Sequence, residues 1–142
     1  MGQLAALLIR ALMVWVLIAI AESVHGILRR LFLQPVVGDL AASRIGVLTG
    51  VVLIIAIATI TSDWLRLRSS RDCLLIGLLW VAFTLAFEIG LGRILGVSWA
   101  RLASDYDLSR GAWLPGGFAI MALTPLLIRW FRTRGASLAR DH

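Results

Sequence analysis

The chain has 142 residues, 60% of them hydrophobic, with a formal net charge of +6 and a mean hydropathy of +0.91. A composition this apolar cannot furnish the polar surface that a soluble domain of this size needs. The 14 basic residues are all Arg and sit mainly at the ends of apolar runs, with no basic groove or stacking platform, which argues against nucleic acid as a partner.

Residues 4–28 form the first apolar run, close to the roughly 20 residues that cross a bilayer as a helix. Ala19-Ile20-Ala21 resembles a signal-peptide cleavage site, but the early charge, Arg10, lies well inside the run. A linker with Pro35 and Gly38 follows, then a second predicted span over residues 45–61, with Ser43 as its expected N-cap. A short basic turn leads to a third span over residues 73–91. Cys73 at its start has no cysteine partner, which excludes an internal disulfide and points to a small packed residue. A polar loop around 104–110 precedes the fourth span, residues 112–130. There Ser109 is the expected N-cap, and Pro125 is expected to kink the helix. Trp64, Trp80, Trp99, Trp113 and Trp130 fall toward the predicted membrane ends, where amphipathic rings sit at headgroup level; Trp15 lies deeper and is expected between helices.

Shifting the chain by 66 residues aligns Glu22 with Glu88, Gly26 with Gly92, Asp39 with Asp105 and Ser43-Arg44 with Ser109-Arg110. Trp64-x-Arg66-x-Arg68 then falls on Trp130-x-Arg132-x-Arg134. Matches among residue types this scarce predict a duplication. The expected fold is therefore an all-α, four-transmembrane-helix bundle from two tandem parallel two-helix hairpin repeats. It forms a single membrane domain over 1–142, with units about 1–68 and 69–142. A first run that corresponds to a spanning third helix is not a cleaved leader. Seven arginines (10, 66, 68, 71, 132, 134 and 140) flank the side of the chain termini and six the other, a slight bias toward cytoplasmic termini.

The polar residues gather near one end. Glu22, His25 and Arg29 share a face of the first helix, and Gly77, Thr84, Glu88 and Gly92, with Arg93 beyond, form the corresponding stripe on the third. An ionised carboxylate inside the apolar layer costs several kcal/mol unless it is paired, hydrated or protonated. Two readings follow. Glu22 and Glu88 are a proton or cation site, as in a small transporter, with His25 tuning it and Arg44 and Arg110 balancing charge. Alternatively they form buried ion pairs with Arg29, Arg44, Arg93 or Arg110 that hold the hairpins in register. Glu22-x-x-His25 also has metal-ligand spacing, but Leu91 occupies the position matching His25. A mononuclear metal site from Glu22, His25 and Glu88, or haem on His25, is the remote option, and no cofactor is expected.

Gly46-x-x-x-Gly50 and Gly92-x-x-x-Gly96 have helix-packing spacing. Trp99, Asp105, Tyr106 and Asp107 lie on the loop over the polar end and are candidates for partner contacts. Asp105-Tyr106-Asp107 reads as a solvated turn rather than a cation loop. There is no HExxH, no GxGxxG, no nucleophile elbow and no Lys, so no enzyme is expected.

Phe87-Glu88 through Gly92-Arg93, Ser98-Trp99 and Asp105-Tyr106-Asp107, with Glu22-x-x-His25-Gly26 and Pro35-x-x-Gly38-Asp39, resemble an uncharacterised family of small bacterial four-helix integral membrane proteins. The resemblance implies a multi-pass fold and carries no activity. Arginine-only basic content suggests a GC-rich bacterium and its inner membrane. The expected partners are the lipid bilayer and either a second copy or another subunit of a membrane complex, with an accessory or assembly role as the alternative to transport.

Overall fold

The computed structural model describes residues 2–138, with side chains through Gly135, and these are helical nearly throughout. Helix α1, Gln3–Leu28, continues through a π-helical turn over Arg29–Leu33 into a short α2, Gln34–Val37. Pro35, which has no N–H to donate, follows directly on this π turn, in which the Gln34 N–H reaches back to Arg29 O. Gly38, at φ +83°, stops α2 in a conformation that a side chain would strain, and α3, Asp39–Leu65, starts directly after it. The second span thus begins before residue 45, and Ser43 lies inside it rather than capping it. Short apolar runs locate a span well and its ends poorly, because the boundary is set by the glycine and not by hydropathy.

Arg66, in the left-handed region, ends α3. Ser69 then opens α4, Ser70–Ile94, with a reciprocal capping box: its hydroxyl accepts from the Asp72 N–H while the Asp72 carboxylate accepts from the Ser69 N–H, both at 3.1 Å. At the far end Gly96 closes α4 in a Schellman motif, with Val97 N–H donating to Gly92 O at 2.8 Å and Gly96 N–H to Arg93 O at 3.1 Å. Gly96 is therefore a helix terminator and not a packing partner of Gly92. The short α5, Trp99–Ser104, and a 3₁₀ turn, Leu108–Arg110, lead to α6, Leu114–Leu138, which runs on through Pro125. Ser109 belongs to the 3₁₀ turn, which Asp107 caps, so the fourth span has a different start from the one expected.

Four helical stretches, Gln3–Val37, Asp39–Leu65, Ser70–Ile94 and Leu114–Gly135, are long and apolar enough to cross a bilayer, and they mark the chain as a multi-pass membrane protein. They close a ring in the order α1, α3, α6, α4. Their outer faces carry Leu, Ile, Val and Phe side chains in the open, as lipid-facing helices do. Inside, Ala11, Val14 and Ile18 of α1 meet Ile54 and Ala58 of α3, Ile76 and Trp80 of α4 and Met121 of α6. Along α3 the buried positions Ala42, Gly46, Gly50, Ile54, Ala58 and Ser62 recur every fourth residue and are mostly small. Lipid tails are as apolar as leucine, so helices in a membrane associate by close packing, and a small-residue face permits it.

Two tryptophans tie α1 to α4. Trp15 Nε1–H donates to Thr84 Oγ1 at 3.1 Å and its ring lies 5.3 Å from Phe83, as expected of a ring between helices. Trp80, expected at a membrane end, is instead fully buried and donates to the Ala11 carbonyl at 2.9 Å. Its counterparts Trp64, Trp99, Trp113 and Trp130 are exposed near the helix ends. At the end holding the 66–69 turn, Arg129 donates to the carbonyls of Leu67 and Arg68, Arg132 pairs with Asp63, and Arg68 donates to Gln3 Oε1 at 2.9 Å. Arg140 and His142 lie outside the described residues.

What the structure supports is an all-α bundle of four long apolar helices; it carries no sign of twofold hairpin symmetry. One linker is a π turn and a single turn of helix, the other a folded loop with α5. Matched residues also part company: Arg44 donates to Gly111 O, whereas Arg110 pairs with Asp107.

Candidate functional site

The loop-bearing end of the bundle collects the α1 end, the α3 start, the α4 end and the 95–113 loop. Glu22 and His25 lie one turn apart on α1, which brings His25 Nδ1 to 3.4 Å from Glu22 Oε2. The other ring nitrogen, Nε2, is 2.7 Å from Thr49 Oγ1 on α3. Gly50 allows this approach: a Cβ there would stand 2.9 Å from Glu22 Oε2. The same device serves Arg29, whose aliphatic stem fills the space over Gly46. The Gly46–Gly50 spacing thus admits polar side chains of α1 rather than only backbone.

Glu88 is held by the loop. Its Oε2 accepts from the Tyr106 hydroxyl at 3.2 Å, and the Tyr106 ring stacks on Phe118 of α6 with centroids 6.0 Å apart. Tyr106 is a residue whose role the sequence hid, because its partner lies 18 positions away across the loop. Burial, together with the negative charges of Glu88 and Asp105, pushes the Tyr106 hydroxyl well above the ordinary tyrosine range. A folded-state value raised above the unfolded one gives stability that is complete below about pH 10 and is lost as pH climbs past it. The melting temperature in detergent should therefore fall above about pH 10 for the wild type and fall less steeply for Tyr106→Phe. Parallel curves for the two proteins would show that the hydroxyl does not titrate into the fold.

The paired buried glutamates expected for a transporter do not exist. Among the described residues the buried polar side chains are Ser62 and Thr124, and no acidic or basic side chain is buried. Glu22 is 31% exposed, Glu88 is half-buried, and each is bonded to its own neighbour. The physical reason is placement. Both glutamates lie toward the loop-bearing end of the bundle, Glu22 within two turns of the π turn and Glu88 within two turns of the end of α4, so neither sits at the apolar centre. A coupled carboxylate pair for proton or cation transport is thereby removed.

The arginines do not supply ion pairs to these glutamates either. Arg44 donates its Nε–H to Gly111 O at 3.2 Å and lies over Trp113 at 5.6 Å. Arg93 donates to Val97 O at 2.8 Å and lies over Trp99 at 4.8 Å, and Arg110 pairs with Asp107 at 3.2 Å. Arg101 joins Asp105 at 2.8 Å to Asp39 at 3.2 Å, which fastens α5 to the start of α3; this link spans 62 residues and has no local sequence signal. Asp107, held below the usual carboxylate range chiefly by the Ser109 hydroxyl, stays ionised as the cap of the 3₁₀ turn. Of the expected loop contacts, Asp105, Tyr106 and Asp107 are spent within the fold, and Trp99 alone points outward.

The metal option fails on geometry: among the described residues no three His, Cys, Asp or Glu side chains gather, and Glu22, His25 and Glu88 do not converge. Cys73 is buried as a free thiol. In comparisons with known proteins no family model, no curated protein and no solved structure matches the chain, so the resemblance to small bacterial membrane proteins rests on its motifs alone.

Proposed function

We propose that the protein is a non-catalytic membrane subunit that docks another integral membrane protein at its loop-bearing end. The observation that carries this reading is the way the 95–113 loop is satisfied. Its polar groups are consumed internally by Glu88, Asp39, Asp105, Asp107 and Ser109, while Ile94, Leu95, Trp99 and Leu108 stand in the open, between 62% and 83% exposed. An ordered platform with outward apolar and aromatic side chains and few free charges has the composition of an interface centre. The partner is a second copy or a different chain of a membrane complex.

A photo-reactive amino acid placed at position 99 should give a discrete protein adduct in native membranes, whose mass tells a second copy from another subunit. The same group at Leu12, mid-span on the outer face of α1, should give lipid adducts only. Lipid adducts alone at position 99 would refute the docking role.

In the same reading the 66-residue register is a diverged duplication, and both termini face the cytoplasm of a bacterial inner membrane. Support for these comes from the scarce-residue matches and from the arginine excess around the 66–71 turn, to which Arg129 adds.

A further inference from the structure

A groove of about 570 Å³ opens on the outside of the bundle where α2 hands over to α3 beside Trp113. It combines one cation with an apolar wall. We propose that this groove binds an anionic phospholipid, with the headgroup phosphate on Arg44 and an acyl chain laid along α3.

The cation is set in place before any ligand arrives. Arg44 is half-buried, its Nε–H is committed to Gly111 O, and its guanidinium faces the Trp113 ring. Gly111, at φ +79°, keeps the space clear: a Cβ there would collide with the terminal nitrogen of Arg44. Pinning one edge of the guanidinium leaves its terminal N–H groups without an acceptor among the described residues, and no carboxylate pairs with it there. A guanidinium fork matches a phosphate by two parallel hydrogen bonds, and a preset fork loses little freedom on binding. Asp39 lines the same groove, but its two oxygens are taken by Gln34 at 3.0 Å and Arg101 at 3.2 Å.

The wall identifies the rest of the ligand. Ile45 and Leu48 continue from Arg44 down the outer face of α3, with Leu40 one turn before it at the helix start, all open to the surroundings. Trp113, 43% exposed, stands at the level where indole rings meet headgroups. A free anion would use the guanidinium and leave the leucines idle; a lipid uses both. The size is within the range of pockets that hold small ligands. The groove borrows Trp113 from the 95–113 loop but none of the outward side chains Ile94, Leu95, Trp99 and Leu108 that form the docking face.

The test is melting of the purified full chain in nonionic detergent with added phosphatidylglycerol, phosphatidylcholine or inorganic phosphate. For wild type, phosphatidylglycerol should raise the melting temperature by at least about 3 °C more than phosphatidylcholine does, and inorganic phosphate should not raise it. Arg44→Gln should remove that difference, although the chain keeps most of its positive charge, which separates a site from general attraction. Leu48→Trp, which fills the groove and leaves the cation intact, should remove it as well and decides the matter if Arg44→Gln does not fold. Equal shifts from the two lipids would overturn the proposal, as would a phosphatidylglycerol shift retained in Leu48→Trp. A shift from inorganic phosphate alone would replace the lipid site with a free-anion site.

Discussion

Gly77→Ala should destabilise the bundle by roughly 3 kcal/mol or more, although it adds a single methyl group. A Cβ at Gly77 would overlap the carbonyl of Ala122 on α6, standing 2.7 Å from its carbon and 3.0 Å from Cα. The obstacle is backbone, so no rotamer change relieves it; α4 and α6 must move apart. Along this contact Cys73, Ile76 and Trp80 on α4 and Met121, Thr124 and Pro125 on α6 are all sealed, and separating the helices opens the whole seam. In a bilayer that seam is what holds the helices together, since lipid offers apolar side chains an equally good environment. Gly90→Ala is the matched control. It lies in the same helix with nothing within reach of the added methyl, and it should be neutral or better by up to about 1 kcal/mol, because Ala is the stronger helix former. Opposite signs for the two substitutions, read from detergent or steric-trap unfolding, would locate the crossing. A Gly77→Ala protein as stable as wild type would show that α4 and α6 do not approach there.

The second large effect is expected at Trp80. The ring is fully sealed between α1, α4 and their neighbours, and its N–H donates to the Ala11 carbonyl. Trp80→Ala should cost about 3–5 kcal/mol, the range for removing a large aromatic from a packed interior and leaving a cavity. Trp80→Phe keeps most of the volume and loses the hydrogen bond, which within membranes averages about 0.6 kcal/mol; its loss should therefore stay below about 1.5 kcal/mol. The gap between the two variants separates packing from polarity. If both lose equally, the hydrogen bond and not the ring is the anchor.

Four spans were legible because hydropathy over some 20 residues depends only on composition, and a bilayer admits few alternatives to a helix there. Trp15 as an interhelical ring and the exposed end tryptophans were legible from depth alone. Trp80 was not: its place within an apolar run says nothing about which face of the helix it occupies, and a helix apolar all round has no face to read. The glycines show the same division. Their enrichment predicts close approach, but Gly46 and Gly50 admit Arg29 and Glu22, Gly96 ends a helix, and Gly77 makes the backbone contact. Each outcome depends on what another helix brings to the spot.

The candidate site divides in the same way. By itself the sequence determined that Glu22, His25, Glu88 and the arginines Arg29, Arg44, Arg93 and Arg110 lie toward one end, since helical spacing and the charged boundaries place them there. The Glu22–His25 contact is local to α1, and only the tertiary structure decided the other partners: Thr49 for the second nitrogen of His25, Tyr106 for Glu88, and backbone carbonyls or loop aspartates for three of the arginines, Arg44, Arg93 and Arg110. A carboxylate's environment is fixed by contacts between elements far apart in the chain, here joined by a folded loop whose own hydrogen bonds settle its path. Composition and periodicity set the depth of a charged side chain in the bilayer, and which neighbour neutralises it is settled by how the helices meet.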